Sequence, residues 1–246
     1  MTTTPETPVG PDGHGNRALP TAPVTPVTPA DPTAIISRAE AFVRARLEAN
    51  ACGHDFHHIH RVRVLALRIA PEAGADPYLV ELGALLHDVA DPKLNDTPES
   101  GLRALTEFLD GCGLPRDFRA RLEDVLERVS FGKELDGQAG PKSPELQAVQ
   151  DADRLDALGA IGIARTFAYG GSQGHPMHDP ALLPRVGLDQ KAYRGGKSTS
   201  ANHFHEKLFL LKDRMNTSMG RAIAEERHRF MREFLDRFME EWDGRI

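Results

Sequence analysis

Cysteine is scarce in this sequence. The 246 residues include only Cys52 and Cys112, which form neither a CxxC pair nor a disulfide framework. The chain therefore lacks the ligands of a zinc finger. A reducing compartment suits this cysteine usage better than an oxidising one.

Long apolar runs are also missing. No stretch approaches the ~20 apolar residues that cross a bilayer, and the first residues lack the charged head and apolar segment of a signal peptide. We expect no membrane partner and a cytoplasmic location. The net charge is −6, with Lys and Arg spread along the chain, so no nucleic-acid partner is expected either. A small anionic substrate needs only a local basic cluster.

Proline is concentrated at the N-terminus, for example in APVTPVTP at 22–29. Closely spaced prolines exclude a regular helix, and few large apolar residues are available there for a core. We predict a disordered tail over 1–33 and a single domain over 34–246.

Helical periodicity dominates after the tail, and no period-2 alternation lasts long enough for a sheet. The sequence predicts an all-α bundle. Asp31-Pro32 and Asp76-Pro77 are typical helix starts, and Asp55 is a candidate cap for a helix that Pro71 and Gly74 end. A third helix is expected from Tyr78 to about Ala90, with further helices over 99–111, 115–130, 145–167, 203–214 and 218–242. Irregular loops are expected over 132–143 and 169–200.

Ligand-type residues stand where apolar residues are expected. His58 shares a helix face with Val62, Leu65 and Ile69, whereas His57 lies on the opposite, arginine-bearing side. The periodicity therefore selects His58 as the inward histidine of a cluster that also holds His54 and His60.

Two other segments repeat this pattern. His87 and Asp88 follow a segment that is apolar nearly all round, where burial is costly unless both groups are paired or bind a metal. On the 145–167 helix, Asp153 and Asp156 both lie near an inward face, and periodicity does not choose between them. Two imidazoles and two carboxylates suit one divalent ion such as Mn, Ni, Co, Fe or Mg.

Three segments carry a family resemblance. HDFHHIHRV at 54–62 resembles HDxxHxxRV, LLHDVADPK at 85–93 resembles LLHDxxDxK, and QDADRLDALGA at 150–160 resembles QDADRLDAxGA. Further similar segments lie at 202–208, 215–217, 224–231 and 241–244. Over about residues 34–244 the chain thus resembles the HD-domain metal-dependent phosphohydrolase superfamily, and within it the YpgQ-type nucleotide pyrophosphohydrolases of bacteria.

The resemblance implies an HD-domain helical bundle that holds one divalent metal ion through His58, His87, Asp88 and Asp153. It thereby favours Asp153 over Asp156. The implied activity is hydrolysis of a small nucleotide partner, a nucleoside triphosphate, to monophosphate and pyrophosphate by a metal-activated water. The sequence carries no signal of oligomeric state.

Other functions share parts of this pattern. A nucleotide phosphodiesterase or 5′-nucleotidase would use the same site. A non-catalytic nucleotide-binding helical module would not require an intact ligand set. A di-iron oxygenase would need further histidine ligands, and beyond His87 no inward histidine lies between His58 and Asp153.

Substrate contacts are expected around the ligand positions. Asp91, three residues after Asp88, is a candidate acid/base or water-positioning residue, with helix capping as its alternative role. Arg61 and Arg154 could clamp a phosphate or instead pair with acids such as Asp156. The remaining candidates for substrate binding are Lys93, Asn202, His203, Lys207 and Lys212.

Overall fold

A computed structural model describes residues 31–47, 55–129, 140–185 and 197–246, without the side chains of Lys93 and Pro98. The described residues form nine α-helices and no β-strand, which confirms the all-α prediction. The helices are α1 (Pro32–Leu47), α2 (Phe56–Ala73), α3 (Pro77–Leu86), α4 (Pro98–Asp110), α5 (Arg116–Arg128), α6 (Pro144–Asp156), α7 (Gly159–Ser172), α8 (Ser200–Glu206) and α9 (Ser218–Trp242). Residues 1–30 of the expected tail, Cys52 and His54 lie outside the described residues. So do 130–139 and 186–196, which contain most of the first expected loop and part of the second.

The first helices begin at the expected caps. The Asp55 side chain accepts a hydrogen bond from the backbone N–H of His58 at 2.9 Å, and Asp76 caps α3 in the same way. α2 continues through Pro71 and ends at Gly74, whose φ of 67° is in the left-handed region that suits glycine.

α3 is shorter than the sequence predicts. It ends at Leu86 rather than near Ala90, so His87 and Asp88 lie in a turn and not within the helix. The backbone N–H of Val89 bonds the carbonyl of Leu86, and that of Asp91 bonds the carbonyl of Asp88. These tighter i→i+3 bonds replace the α-helical pattern.

The expected helix over 145–167 is wrong in its extent, because two helices occupy this region. α6 ends at Asp156, Ala157 and Leu158 form the break, and α7 begins at Gly159 with a φ of 73°. The break ends the first helix directly after Asp156. The segment 203–214 also differs from prediction, since α8 ends at Glu206 and short 3₁₀ turns follow over Leu208–Leu210 and Lys212–Arg214.

The core lies where α2 packs along α6 and α3, with α1 and α5 against α3. Ile59, Val62 and Ile69 of α2 are fully buried there, as are Leu146 and Leu155 of α6. Burying each such side chain stabilises the fold by about 1.5–3 kcal/mol. Within the described parts of the chain, no helix is both long and apolar enough to cross a bilayer.

Two buried carboxylates hold together segments of the C-terminal half of the chain. Asp151 of α6 accepts four hydrogen bonds from Asn216 and Thr217 at the start of α9. Glu206 of α8 accepts bonds from Arg185 and Ser198. Burial raises the pKa of Glu206, but the bonds from Arg185 outweigh burial and lower it. Both carboxylates therefore accept hydrogen bonds that fix neighbouring segments.

Candidate metal centre

Four ligand-type side chains converge from α2, from the turn after α3 and from α6. Nε2 of His58 lies 3.3 Å from Nε2 of His87, 3.4 Å from Asp88 Oδ2 and 3.6 Å from Asp153 Oδ1. Nε2 of His87 lies 3.4 Å from Asp88 Oδ1 and 3.8 Å from Asp153 Oδ1. The structure thus brings together all four residues that the resemblance assigns to the metal.

The hydrogen bonds of the imidazoles aim both Nε2 atoms into the same space. His87 Nδ1 donates to the carbonyl oxygen of Ala84 at 2.8 Å, and His58 Nδ1 pairs with Asp156 Oδ2 at 2.7 Å. When each ring is neutral with Nδ1 protonated, each Nε2 can present a lone pair to a metal. The two Nε2 atoms lie 3.3 Å apart beside two carboxylates, so one cation can meet all of these groups. The donor set therefore fits a metal ion.

The spacing also fits. Two ligands at ~2.1 Å from one ion, 90–109° apart, are about 3.0–3.4 Å from each other. The observed separations of 3.3–3.8 Å are close to this range. His58, His87 and Asp88 could hold a metal ion. Asp153, whose side chain is 29 % exposed, stays a prediction as the fourth ligand.

The carboxylates create a negative potential at the centre. Burial lowers the pKa of His58, but hydrogen bonds with Asp156 and Asp88 outweigh burial and raise it to about 9. A position that favours positive charge this strongly suits a divalent cation.

Asp156 occupies the other side of the His58 ring. It accepts hydrogen bonds from Arg61 and Arg165 as well as from His58. Burial raises the pKa of Asp156, but the bonds from His58 and Arg61 outweigh burial and hold it well below its usual range. Arg165 was not among the sequence candidates. The sequence signal that could have identified Arg165 is its charged side chain directly after the small and apolar residues at 159–164.

Lys207 lies within electrostatic range of the centre. Burial lowers the pKa of its ammonium group, while the charges of Asp153 and Asp91 raise it. Lys207 is partly buried, as is His203 one turn earlier on α8. Lys207 therefore lies within electrostatic range of Asp91 and of Asp153, a candidate ligand.

Other candidate residues contact protein groups instead. Arg61 pairs with Asp156, and the buried Arg154 donates to the carbonyl of Arg214. Asn202 Nδ2 donates to the Leu182 carbonyl at 2.8 Å, and Lys212 pairs with Asp213 at 2.8 Å. These contacts favour structural roles, so we leave these four residues out of the substrate contacts proposed below. The side chain of Lys93 lies outside the described residues.

The neighbouring histidines give no support to a second metal. His57 and His60 of α2 are exposed, as periodicity predicts for His57. Among the described residues, the candidate metal cluster consists of His58, His87 and Asp88. A di-iron arrangement would need additional inward histidines near this cluster.

Comparison with known proteins places this site in a family. The family model of the HD domain matches residues 55–158, which include all four candidate ligands. The YpgQ protein of Bacillus subtilis strain 168 is 40 % identical over 194 residues, or 79 % of this chain and 87 % of YpgQ. The chain belongs to the HD-domain family.

Solved structures agree with this assignment. The crystal structure of an HD-superfamily hydrolase from Bacillus thuringiensis matches with a TM-score of 0.67 and 39 % identity, covering 87 % of this chain and 99 % of that chain. The crystal structure of B. subtilis YpgQ in complex with ADP matches with a TM-score of 0.65 and 33 % identity. The match covers 84 % of this chain and 96 % of that chain. The protein is thus an HD-superfamily hydrolase, of a family of metal-dependent phosphohydrolases.

Proposed function

We propose that the protein hydrolyses nucleoside triphosphates to monophosphate and pyrophosphate. The observation that carries the chemistry is the convergence of two Nε2 atoms and two carboxylates within 3.3–3.8 Å. The ADP complex of YpgQ, a relative 40 % identical to this chain, supports a nucleotide as the substrate class.

His58, His87, Asp88 and Asp153 would hold one divalent metal ion. Their two carboxylates balance its charge, and the mixed nitrogen and oxygen donors suit Mn, Fe, Co, Ni or Mg. When bound, such a metal would lower the pKa of a water molecule and polarise a phosphoryl oxygen.

Residues around the metal would handle the remaining charges and protons. The ammonium group of Lys207 would stabilise the negative charge that develops on the phosphoryl oxygens, and its burial strengthens that interaction. Asp91 would orient the attacking water or accept its proton. His203, one turn before Lys207, would contribute to the same wall of the substrate site.

A nucleotide panel tests this proposal. The purified protein with Mn²⁺ is expected to release pyrophosphate from nucleoside triphosphates, measured by product chromatography. Asp88→Ala should abolish hydrolysis with unchanged helical circular dichroism, because it removes a carboxylate that faces both imidazoles.

Asp110→Ala provides the matched control, since Asp110 is an exposed carboxylate that pairs with Arg119 on the surface. It should leave turnover unchanged. Release of inorganic phosphate alone would favour a nucleotidase, and cleavage of diester substrates would favour a phosphodiesterase. Unchanged turnover in Asp88→Ala, or nucleotide binding without any hydrolysis, would contradict the proposed site.

A further inference from the structure

Asp156 lies one helical turn after Asp153 but is bonded quite differently. Its side chain is 2 % exposed. Oδ1 accepts from Arg61 Nε at 2.6 Å, and Oδ2 accepts from Arg61 Nη2 at 3.0 Å, Arg165 Nη1 at 2.6 Å and His58 Nδ1 at 2.7 Å. We call this group the Arg61–Asp156–Arg165 clamp.

Side-chain donors engage both oxygens of Asp156. Four N–H donors from three side chains contact the carboxylate, one at Oδ1 and three at Oδ2, so Oδ2 has more donors than its two lone-pair directions. The two guanidinium groups also bring two positive charges to one negative charge. Asp156 therefore faces cationic donors and His58 Nδ1 rather than Nε2, although it shares a helix with Asp153.

The clamp also fixes the His58 ring. A rotation of the imidazole would break a buried bond between Nδ1 and a carboxylate, and leaving such groups unpaired costs about 1–3 kcal/mol or more. Arg61 comes from α2, Arg165 from α7 and Asp156 from α6, so the ring orientation depends on three helices.

We propose that Asp156 is a positioning residue: held by Arg61 and Arg165, it orients His58 so that Nε2 faces the metal, and it is itself excluded from coordination. This inference rests on the metal site of the proposed function. Carboxylates in this role raise the metal affinity of a histidine ligand by about 10–100-fold.

Manganese binding to the full chain tests the proposal without reference to activity. The dissociation constant of Mn²⁺ is measured from the electron paramagnetic resonance signal of free Mn²⁺. Asp156→Ala is expected to raise it by about 10–100-fold. Asp156→Asn should give a smaller increase, because the amide oxygen can still accept from His58 Nδ1. If the alanine variant fails to fold, the asparagine variant carries the test.

A second readout separates positioning from general damage. Long-range ¹⁵N–¹H spectra of the metal-free protein should show a hydrogen-bonded proton on His58 Nδ1 in the wild type, in either charge state of the ring, and the loss of that hydrogen-bonded signal in Asp156→Ala. Hydrolysis by Asp156→Asn should recover at saturating Mn²⁺, because the reacting groups are intact.

Glu145→Gln is the matched control. Glu145 is also a buried α6 carboxylate paired with an arginine, Arg121, at 2.6 Å, but it bonds the Asp76 backbone rather than a histidine. Equal loss of Mn²⁺ affinity in Glu145→Gln and Asp156→Ala would contradict a specific positioning role for Asp156. An Asp156→Ala variant that binds Mn²⁺ with wild-type affinity would contradict it as well. A wild-type protein that binds no Mn²⁺ would instead overturn the metal centre itself, and the clamp with it.

Discussion

Two carboxylates three residues apart on α6 have opposite relations to the same histidine. Asp153 Oδ1 is 3.6 Å from His58 Nε2, whereas Asp156 Oδ2 is 2.7 Å from Nδ1. Periodicity places both near one inward face, so it neither chooses between them nor predicts which ring nitrogen each one faces. Arg61 and Arg165, which come from other helices, distinguish them.

At the same scale, Lys207 is the cation expected to matter most for substrate. Its ammonium group is desolvated and close to Asp153 and Asp91. Lys207→Met should therefore lower kcat/KM for nucleoside triphosphates by about 10–100-fold, the equivalent of one charge-assisted hydrogen bond. Steady-state kinetics at saturating Mn²⁺ would measure this loss.

Lys207→Arg and Lys212→Met serve as comparisons for this prediction. Arginine keeps the charge and should recover part of the activity. Lys212 pairs with Asp213 on the surface, so its loss should have the smaller effect. Equal losses at both positions would mean that the general positive potential, rather than the placement of Lys207, attracts the substrate.

At the scale of elements, the turn after α3 decides where His87 and Asp88 point. The apolar run predicts a helix to about Ala90, but the helix ends at Leu86. Asn95 Nδ2 donates to the carbonyls of Val89 and Asp91 at 2.9 and 2.8 Å, which supplies partners that a continuing helix would otherwise provide. The helix propensity of the apolar run does not reveal that Asn95, in the following turn, will bond these carbonyls.

The start of α9 depends on close packing against Asp151. A Cβ at Gly220 would lie 2.3 Å from Asp151 Oδ2 and 2.8 Å from Thr217 Oγ1. Gly220→Ala should therefore displace the carboxylate that accepts four bonds from Asn216 and Thr217. We expect it to lower the free energy of unfolding by about 1–3 kcal/mol, as measured by urea denaturation.

Gly171→Ala is the control for this substitution. Gly171 also lies in a helix, α7, but its added Cβ would meet no atom within 4 Å. Alanine is the better helix former by up to ~1 kcal/mol, so this variant should be neutral or slightly stabilised. A stabilised Gly220→Ala variant would contradict the prediction, because it would show that Asp151 and the start of α9 can move apart without loss of stability.

At the scale of the whole molecule, the candidate ligands join α2, the turn after α3 and α6. A metal that binds only the folded arrangement stabilises it, by about 2.7 kcal/mol at one hundred times its Kd. For a domain of this size, Mn²⁺ should raise Tm by roughly 5–10 °C, measured by calorimetry with and without a chelator.

Asp88→Ala provides the control, because it removes a candidate ligand and leaves the apolar core residues unchanged. Its Tm should respond little to Mn²⁺. An equal increase of Tm in this variant would indicate that manganese stabilises the protein at another place.

The sequence alone determined the all-α class, most helix starts and the inward direction of His58, because capping side chains and apolar spacing are local properties. The motifs added the family and its four candidate ligand positions. The tertiary structure decided the end of α3, the break between α6 and α7, the different contacts of Asp153 and Asp156 with His58, and the place of Arg165 beside His58. The last two depend on contacts between residues far apart in the chain, such as the 107 positions that separate Arg165 from His58, and no local pattern records which distant groups meet. The end of α3 depends on Asn95 in the following turn, whose bonds to the backbone a count of apolar spacing does not include.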